Sequence, residues 1–329
     1  MDAFSAVHAP DWQRLDELSA RRRLSGEEAD ELLRLYRRTS AHLSTIRSVA
    51  PEGALSAALS MRLSRARTRF TGARSNFLED LVSFFVIALP AGFYRLRWLT
   101  LVVGAAFILT AWLAGMWAAS TPGVISAALG SDAQVREYVE RDFAAYYSEN
   151  PAASFAGQVW TNNAWIALQS VAFGITGIWG PYVLYQNALN VGIAGGTMAA
   201  YGESDVFFSY ILPHGLMELT AVFIAVAAGL RIFWAWVAPG RQTRSTAVAA
   251  EGRSLFTVAL GLVIVLFLSG LVEGFVTPSP LPTWLRMTIG AALFGAYWAY
   301  TLVLGGRAYR EGNRGDLSRR DSGDALRTA

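Results

Sequence analysis

The sequence contains no cysteine and no lysine. Without cysteine the chain cannot form disulfides, thiolate metal sites or a cysteine nucleophile. Without lysine it cannot form a Schiff base or the lysine–phosphate contact of a P-loop. The exclusive use of arginine as the strongly basic residue indicates a bias in genome composition rather than a particular function.

Charged residues are also scarce and unevenly distributed. They make up 16% of the 329 residues, against about 25% in a typical soluble domain. Residues 1–80 and 307–329 are rich in charge, whereas most of 98–306 is apolar. Long apolar runs between short polar loops predict an all-α, polytopic membrane helix bundle. The first apolar run of membrane quality begins near Phe84, so no cleavable signal peptide is expected.

The chain divides into four predicted segments. They are a cytoplasmic helical arm, an interfacial or re-entrant helix, a membrane domain and a disordered cytoplasmic tail, at residues 1–76, 77–97, 98–306 and 307–329. In the arm, Ser25 and Glu28 have the spacing of a capping box. The second segment is apolar but short, and Pro90 and Gly92 are expected to end it. Six spans are predicted, near 98–119, 160–181, 184–201, 206–231, 254–275 and 284–306.

The charges of two loops predict an orientation. Loop 120–158 carries five acids against two arginines, whereas loop 231–253 carries four arginines against Glu251 alone. Basic loops stay on the cytoplasmic side of a membrane. Loop 120–158 is therefore predicted to lie outside the cell. Both termini are predicted to be cytoplasmic, in a multi-pass protein of the bacterial plasma membrane.

Two ionisable residues, His214 and Glu218, lie inside one apolar predicted span. They are four residues apart, so they share a helix face. A carboxylate in hydrocarbon is costly unless it is paired or neutralised. Glu218 is therefore expected to face the protein interior, with His214 as its nearest partner. The pair is either an ion, proton or substrate site, or a hydrogen-bonded pair that fixes helix packing.

Other polar residues could complete this intramembrane cluster. The candidate partners are Asn162, Asn163, Asn187 and Asn190, with Asn163 and Asn187 assigned to the cluster, although interhelical amide hydrogen bonds are more often structural. Glu273, near the predicted outer end of the fifth span, is expected to reach water. It is also expected to form a rim ion pair with Arg286, across a proline-rich turn.

The sequence carries no enzyme signature. It lacks the H-E-x-x-H zinc motif, the G-x-S-x-G elbow and the Walker A loop. The other histidines, His8 and His42, belong to the predicted arm, which argues against a three-histidine metal site. We therefore expect no catalytic residue, no metal, no cofactor and no nucleic-acid partner.

Three stretches together carry a family resemblance. They are RLYRRTSAHLSTIR at 34–47 with the phenylalanine-rich segment before the first span, NNAWIALQSVAFGITGIWGPYVLYQNALNVG at 162–192, and PHGLMELTAVFIAVAAGLRI at 213–232. The chain resembles the stage II sporulation protein M family of bacterial integral membrane proteins. The third stretch is the most specific. The positions that match the family's pattern are Asn163, Asn187, Pro213, His214, Gly215, Glu218 and Arg231.

The resemblance implies several membrane helices, a cytoplasmic N-terminal arm and no catalytic activity. The sporulation member of the family acts with peptidoglycan-degrading partners. We therefore expect a non-enzymatic membrane scaffold that anchors or localises peptidoglycan-remodelling machinery of the cell envelope. The partners expected are the lipid bilayer, cell-envelope proteins and a second copy of the chain, because small-residue helix faces favour a homodimer.

Two alternatives stay open. The first is a transporter or channel-like protein that uses His214 and Glu218 as an intramembrane site. The second, an intramembrane hydrolase, lacks a nucleophile and a metal set in the sequence.

Overall fold

The structure, a computed structural model, describes residues 2–21, 24–49, 54–71 and 77–316. These residues form helices joined by short turns, with no strand among them, which confirms the predicted all-α fold. The chain divides into two compact units, the first ending at Asp80 and the second beginning at Leu81.

The first unit contains three helices, α1 to α3, at Asp2–Ala20, Gly26–Val49 and Ala54–Thr71. Their apolar stripes meet in a core of buried leucines, at positions 15, 18, 32, 35 and 63. The predicted capping box starts α2. The Ser25 amide donates to Glu28 Oε2 at 2.9 Å, and the Glu28 amide donates to Ser25 Oγ at 3.2 Å.

A ring cluster closes the other end of this unit. The Trp12 indole N–H donates to His42 Nδ1 at 3.2 Å. The His8 and His42 ring centroids are 4.0 Å apart. Burial and the neighbouring His8 lower the pKa of His42. The His42 ring is therefore neutral at pH 7, which leaves Nδ1 free to accept the indole proton.

The second unit contains the remaining helices, apart from the first residues of α4, which belong to the first unit. Helices α4 to α14 lie at Phe77–Ser83, Leu89–Ser120, Pro122–Leu129, Asp132–Glu137, Phe143–Ala145, Ala152–Ala172, Trp179–Ala200, Ser204–Val237, Arg244–Leu271, Thr283–Ala299 and Gly306–Arg310. Four π-helical turns extend them, at Phe84–Ala88, Tyr138–Asp142, Val272–Val276 and Tyr300–Gly305.

Four stretches of described helix are long and apolar enough to cross a membrane. They are Asp80–Ser120, Ser204–Val237, Arg244–Val276 and Thr283–Arg310. These overlap four of the six predicted spans. Predicted span 184–201 coincides largely with α10, a helix of 22 residues. Predicted span 160–181 shares only residues 160–172 with α9, and then continues through a 3₁₀ turn into α10. Neither α9 nor α10 is among the four apolar stretches. The membrane helix bundle is thus confirmed, and the number of crossings stays a prediction.

The predicted helix end at Pro90 and Gly92 is wrong. Helix α4, the π turn and α5 follow one another without a break from Phe77 to Ser120. In the π turn, the Leu89 N–H bonds to the Phe84 carbonyl, five residues earlier. Pro90 then lies in the first turn of α5. Proline has no backbone N–H, and the hydrogen-bond register of the helix already changes at the π turn. Pro90 therefore does not end the helix.

The prediction of a disordered tail from residue 307 is also wrong for its first part. Residues 306–310 are helical, and the chain then packs against α12. Ser254 Oγ donates to the Arg314 carbonyl at 2.7 Å, and Arg253 Nε donates to Asp316 Oδ2 at 3.0 Å. The rest of the predicted tail, 317–329, lies outside the described residues.

Helix α11 is the central helix of the second unit, and it packs against α5, α9, α10, α12 and α13. Its contact with α13 is very close at one point. A Cβ added to Gly290 would lie 2.2 Å from the Pro213 carbonyl oxygen. No side chain fits at that distance, so α13 can approach α11 here only through glycine.

Gly290→Ala should therefore destabilise the bundle, by about 1–3 kcal/mol as is typical of overpacking. Gly295→Ala is the matched control, because a Cβ at Gly295 on the same helix meets no atom within 4 Å. The measurement is the apparent melting temperature of each purified variant in detergent. A Gly290→Ala protein as stable as Gly295→Ala would contradict the close approach.

Candidate functional site

Three ionisable side chains meet inside the second unit. His214 and Glu218 lie one turn apart on α11, and Glu273 lies in the π turn that follows α12. One nitrogen or oxygen atom from each lies within 4.8 Å of the others. His214 and Glu273 are buried, at 5% and 4% exposure, and Glu218 is partly exposed. This cluster is hereafter the His–Glu–Glu site.

Hydrogen bonds fix the orientation of the His214 ring. His214 Nδ1 lies 3.1 Å from Thr277 Oγ1, and that hydroxyl donates to the Val272 carbonyl at 3.3 Å. The Thr277 oxygen therefore accepts, so Nδ1 carries the ring proton. His214 Nε2 is then the atom with a free lone pair. It points toward Glu273 and lies 3.8 Å from Oε1, which is too long for a hydrogen bond.

Glu218 joins three helices through its carboxyl group. It lies beside Asn163 of α9 and beside Glu273 beyond α12. Two carboxylates repel each other when both are charged, and each is expensive in an apolar interior. A contact between them requires a proton or a cation that neutralises at least one charge. The site can therefore hold a proton or bind a positive ion.

Aromatic side chains cover the His–Glu–Glu site on one side. The Tyr147 ring centroid is 5.7 Å from that of His214, and Tyr147 stacks on Tyr210 at 5.2 Å. Phe143 stacks on Phe207 at 5.7 Å. Tyr147 and Phe143 belong to the polar stretch before α9. That stretch is therefore folded onto the bundle beside the site.

The backbone around His214 also links the helices. Ser269 Oγ of α12 donates to the His214 carbonyl at 3.0 Å. The adjacent Pro213 lies inside α11, where its carbonyl faces Gly290 of α13. Gly215 is buried against Ile211 of its own helix. Pro213 and His214 thus hold α11 close to its neighbours.

Asn163 and Asn187, two of the predicted partners, lie in different surroundings. Asn163 joins the cluster. Asn187 instead donates its amide to the Val183 carbonyl, 2.8 Å away on the same helix. His214 and Glu218 do converge, but the closest charged partner of each is Glu273.

The predicted rim pair of Glu273 and Arg286 is wrong. Glu273 is buried, and no ion pair joins it to Arg286 in the described part of the chain. Arg286 donates to the Thr277 carbonyl and to Thr283 Oγ1, and its guanidinium lies over the Tyr210 ring. The sequence predicted that Glu273 reaches water because this residue lies near the end of a predicted helix. Its π turn is packed against α9 and α11, and this packing buries the side chain.

A second charged cluster holds the C-terminal part of α11. Glu251 accepts hydrogen bonds from Arg95 and from Arg231, the latter at 2.7 Å. The Glu251 side chain is only 11% exposed. Arg231, one of the family-pattern positions, therefore acts by tying α11 to α12. The sequence showed Glu251 only as the single acid of a basic loop.

A model of the stage II sporulation protein M family matches residues 99–278, which is more than half of the chain. The chain belongs to the stage II sporulation protein M family. The matched region contains the His–Glu–Glu site and the Arg231–Glu251 pair. Residues 2–72, the helical arm, match a separate domain of unknown function, DUF8413. No curated protein and no solved structure matches the chain.

Family membership and the apolar helices establish a membrane protein. Three residues of the site were not assigned to it from the sequence. Thr277 and Tyr147 are of common residue types, and Glu273 was assigned to the rim. All three join the site only through the packing of α11, α12 and the polar stretch against one another.

Glu251→Gln should destabilise the protein, because it leaves Arg95 and Arg231 facing each other without a counter-charge. Arg231 is partly exposed, so the expected loss is about 1–3 kcal/mol, below that of a fully buried pair. Glu140→Gln, a change at an exposed acid, should have no effect. Thermal unfolding of both variants in the same detergent tests this. A Glu251→Gln protein as stable as the control would mean that the two arginines are solvated independently.

Proposed function

We propose that the protein is a non-enzymatic membrane scaffold that anchors or localises peptidoglycan-remodelling machinery of the cell envelope. The observation that carries the proposal is the fold of the polar stretch between α5 and α9. This stretch, residues 122–149, forms short helices and is hereafter the loop platform. It is docked on the bundle rather than extended into solvent.

Apolar contacts fix the loop platform in place. Ile125, Val135, Val139 and Phe143 are buried in one cluster with residues of α5, α10 and α11. A capping box, in which Ser131 and Gln134 bond to each other, starts the second platform helix. A docked platform presents its outer face in a fixed geometry, as binding to a partner requires.

The outer face of the loop platform is acidic. Five carboxylates are exposed, at Asp132, Glu137, Glu140, Asp142 and Glu149. Of the two arginines, Arg141 is paired with Glu137 and Asp142, and Arg136 lies 5.9 Å from the Tyr201 ring centroid. The face is thus suited to a partner with a basic surface.

The helical arm supplies a second binding element. It is a compact unit with its own buried core. Under the predicted topology, the arm lies in the cytoplasm and the loop platform lies outside. A scaffold of this kind would connect the two sides of the membrane. The proposal includes a homodimer formed through small-residue helix faces.

Site-specific photo-cross-linking tests the scaffold proposal. A photoreactive residue at Ser131 on the platform should capture envelope proteins that act on peptidoglycan in living cells. The variant Glu140→Gln with Glu149→Gln should reduce that capture by about fivefold or more, because it removes charge from the docking face. The matched control is Glu27→Gln with Asp30→Asn, which removes two exposed charges from the arm.

Two outcomes would contradict the scaffold. One is capture without any peptidoglycan-active protein, and the other is equal capture by both charge variants. Glu218→Gln offers an independent check, because a scaffold needs Glu218 only for stability or assembly. Loss of an envelope phenotype in that variant, with protein level and capture intact, would also overturn the proposal.

Transport of a cation or small polar solute is the second candidate function. The convergence of His214, Glu218 and Glu273 inside the bundle favours it. Flux into proteoliposomes that disappears in Glu218→Gln would support transport. Absence of flux, with the protein correctly inserted, would favour the scaffold.

A further inference from the structure

We propose that the His–Glu–Glu site binds a divalent transition-metal ion through His214 Nε2 and the carboxylates of Glu218 and Glu273. The proposal does not depend on the scaffold role, because a bound ion would serve either a scaffold or a transporter. The sequence predicted no metal because the chain lacks a three-histidine set and Glu273 was expected at the rim. The proposal replaces that expectation.

The histidine has the arrangement of a metal ligand. A ligating histidine commonly donates its other ring N–H to an oxygen atom, which fixes the tautomer and the ring direction. His214 Nδ1 has this partner in Thr277 Oγ1. The free Nε2 faces Glu273 Oε1 at 3.8 Å. Two ligands on a tetrahedral ion with bonds of about 2.0–2.1 Å lie about 3.3 Å apart, so a small adjustment suffices.

The carboxylates are arranged to receive a positive charge. Glu273 Oε2 is buried and has no hydrogen-bond partner among the residues that the structure describes. Asn163 of α9 lies beside the Glu218 carboxyl group. Two carboxylates and a neutral imidazole carry a charge of −2, which a divalent ion cancels. Cancellation matters here because uncompensated charge is expensive in an apolar interior.

Among the residues that the structure describes, no arginine forms an ion pair with Glu218 or Glu273. Arg286 reaches this region from α13, but its hydrogen bonds go to the Thr277 carbonyl and Thr283 Oγ1. Its guanidinium lies over the Tyr210 ring rather than between the carboxylates. The aromatic cover by Tyr147 keeps the site away from bulk water on that side.

The ligand set selects the class of ion. One imidazole nitrogen with two carboxylates suits Zn²⁺, Mn²⁺ or Fe²⁺, whereas Mg²⁺ and Ca²⁺ prefer oxygen ligands alone. Zn²⁺ is the probe of choice because it is not redox active. The histidine pair of the arm, with rings 4.0 Å apart, is a competing zinc site. His8→Gln in every sample removes this competition.

The experiment measures Zn²⁺ bound to the full-length protein after chelator treatment and reconstitution in lipid nanodiscs. The His8→Gln protein should bind one Zn²⁺ per chain and should melt at a higher temperature with Zn²⁺ than without. Addition of Glu273→Gln should abolish both effects. Mg²⁺ at the same concentration should produce neither.

A milder pair of variants protects the test against misfolding. Thr277→Val removes the hydrogen-bond partner of His214 Nδ1 and should weaken Zn²⁺ binding by about 10–100-fold. Thr288→Val is the matched control, since Thr288 is exposed and bonds only to the Trp284 carbonyl of its own helix. It should bind Zn²⁺ as the His8→Gln protein does.

Either of two results would overturn the metal site. One is a folded His8→Gln protein that binds no Zn²⁺, which would mean that a proton shared by Glu218 and Glu273 neutralises the pair. The other is equal Zn²⁺ affinity in Thr277→Val and Thr288→Val, which would place any bound ion elsewhere. The readout is metal content, so failure of partner capture by the loop platform would not affect it.

Discussion

Two carboxyl groups, Glu218 and Glu273, lie within 4.8 Å of each other inside an apolar helix bundle, and their neutralisation is the constraint on which the second unit depends. Neither group can turn toward lipid without a large cost. Polar residues from separate elements of the bundle therefore surround the two carboxyl groups. Asn163 comes from α9, His214 from α11, and Thr277 from the end of the π turn after α12.

The central helix α11 is held by polar contacts at two levels. The His–Glu–Glu site holds its middle, and the contact of Arg231 with Glu251 holds its C-terminal part. His214 and Arg231 are 17 residues apart in one helix, which is about 26 Å. The residues that match the family's pattern are thus largely those that fix α11 in the bundle. Asn187, which bonds only within its own helix turn, is the exception.

The same site is linked to the loop platform. Tyr147 contacts the His214 ring, and Phe143 packs on Phe207 three residues before Tyr210. The His–Glu–Glu site and the docked side of the loop platform are therefore parts of one packed region.

Much of this architecture follows from the sequence because it rests on local patterns. The capping box of Ser25 and Glu28, the apolar spans and the cost of Glu218 all depend on residues close together in the chain. The predictions that failed depend on contacts between residues far apart in the chain or on backbone geometry. Glu273 was assigned to water because no local pattern shows that its π turn packs against α9 and α11. Pro90 was taken as a helix end because a π turn leaves no mark in composition.

The central claim is that Glu218 and Glu273 face each other inside the bundle. The absence of cysteine allows a direct test in native membranes, using the variant Glu218→Cys with Glu273→Cys and a short bifunctional thiol cross-linker. The control is Glu218→Cys with Phe275→Cys, since Phe275 is exposed on another face of the same turn. Efficient intramolecular cross-linking of the first pair alone is the predicted result. Equal cross-linking of both pairs, or of the control pair alone, would contradict the account.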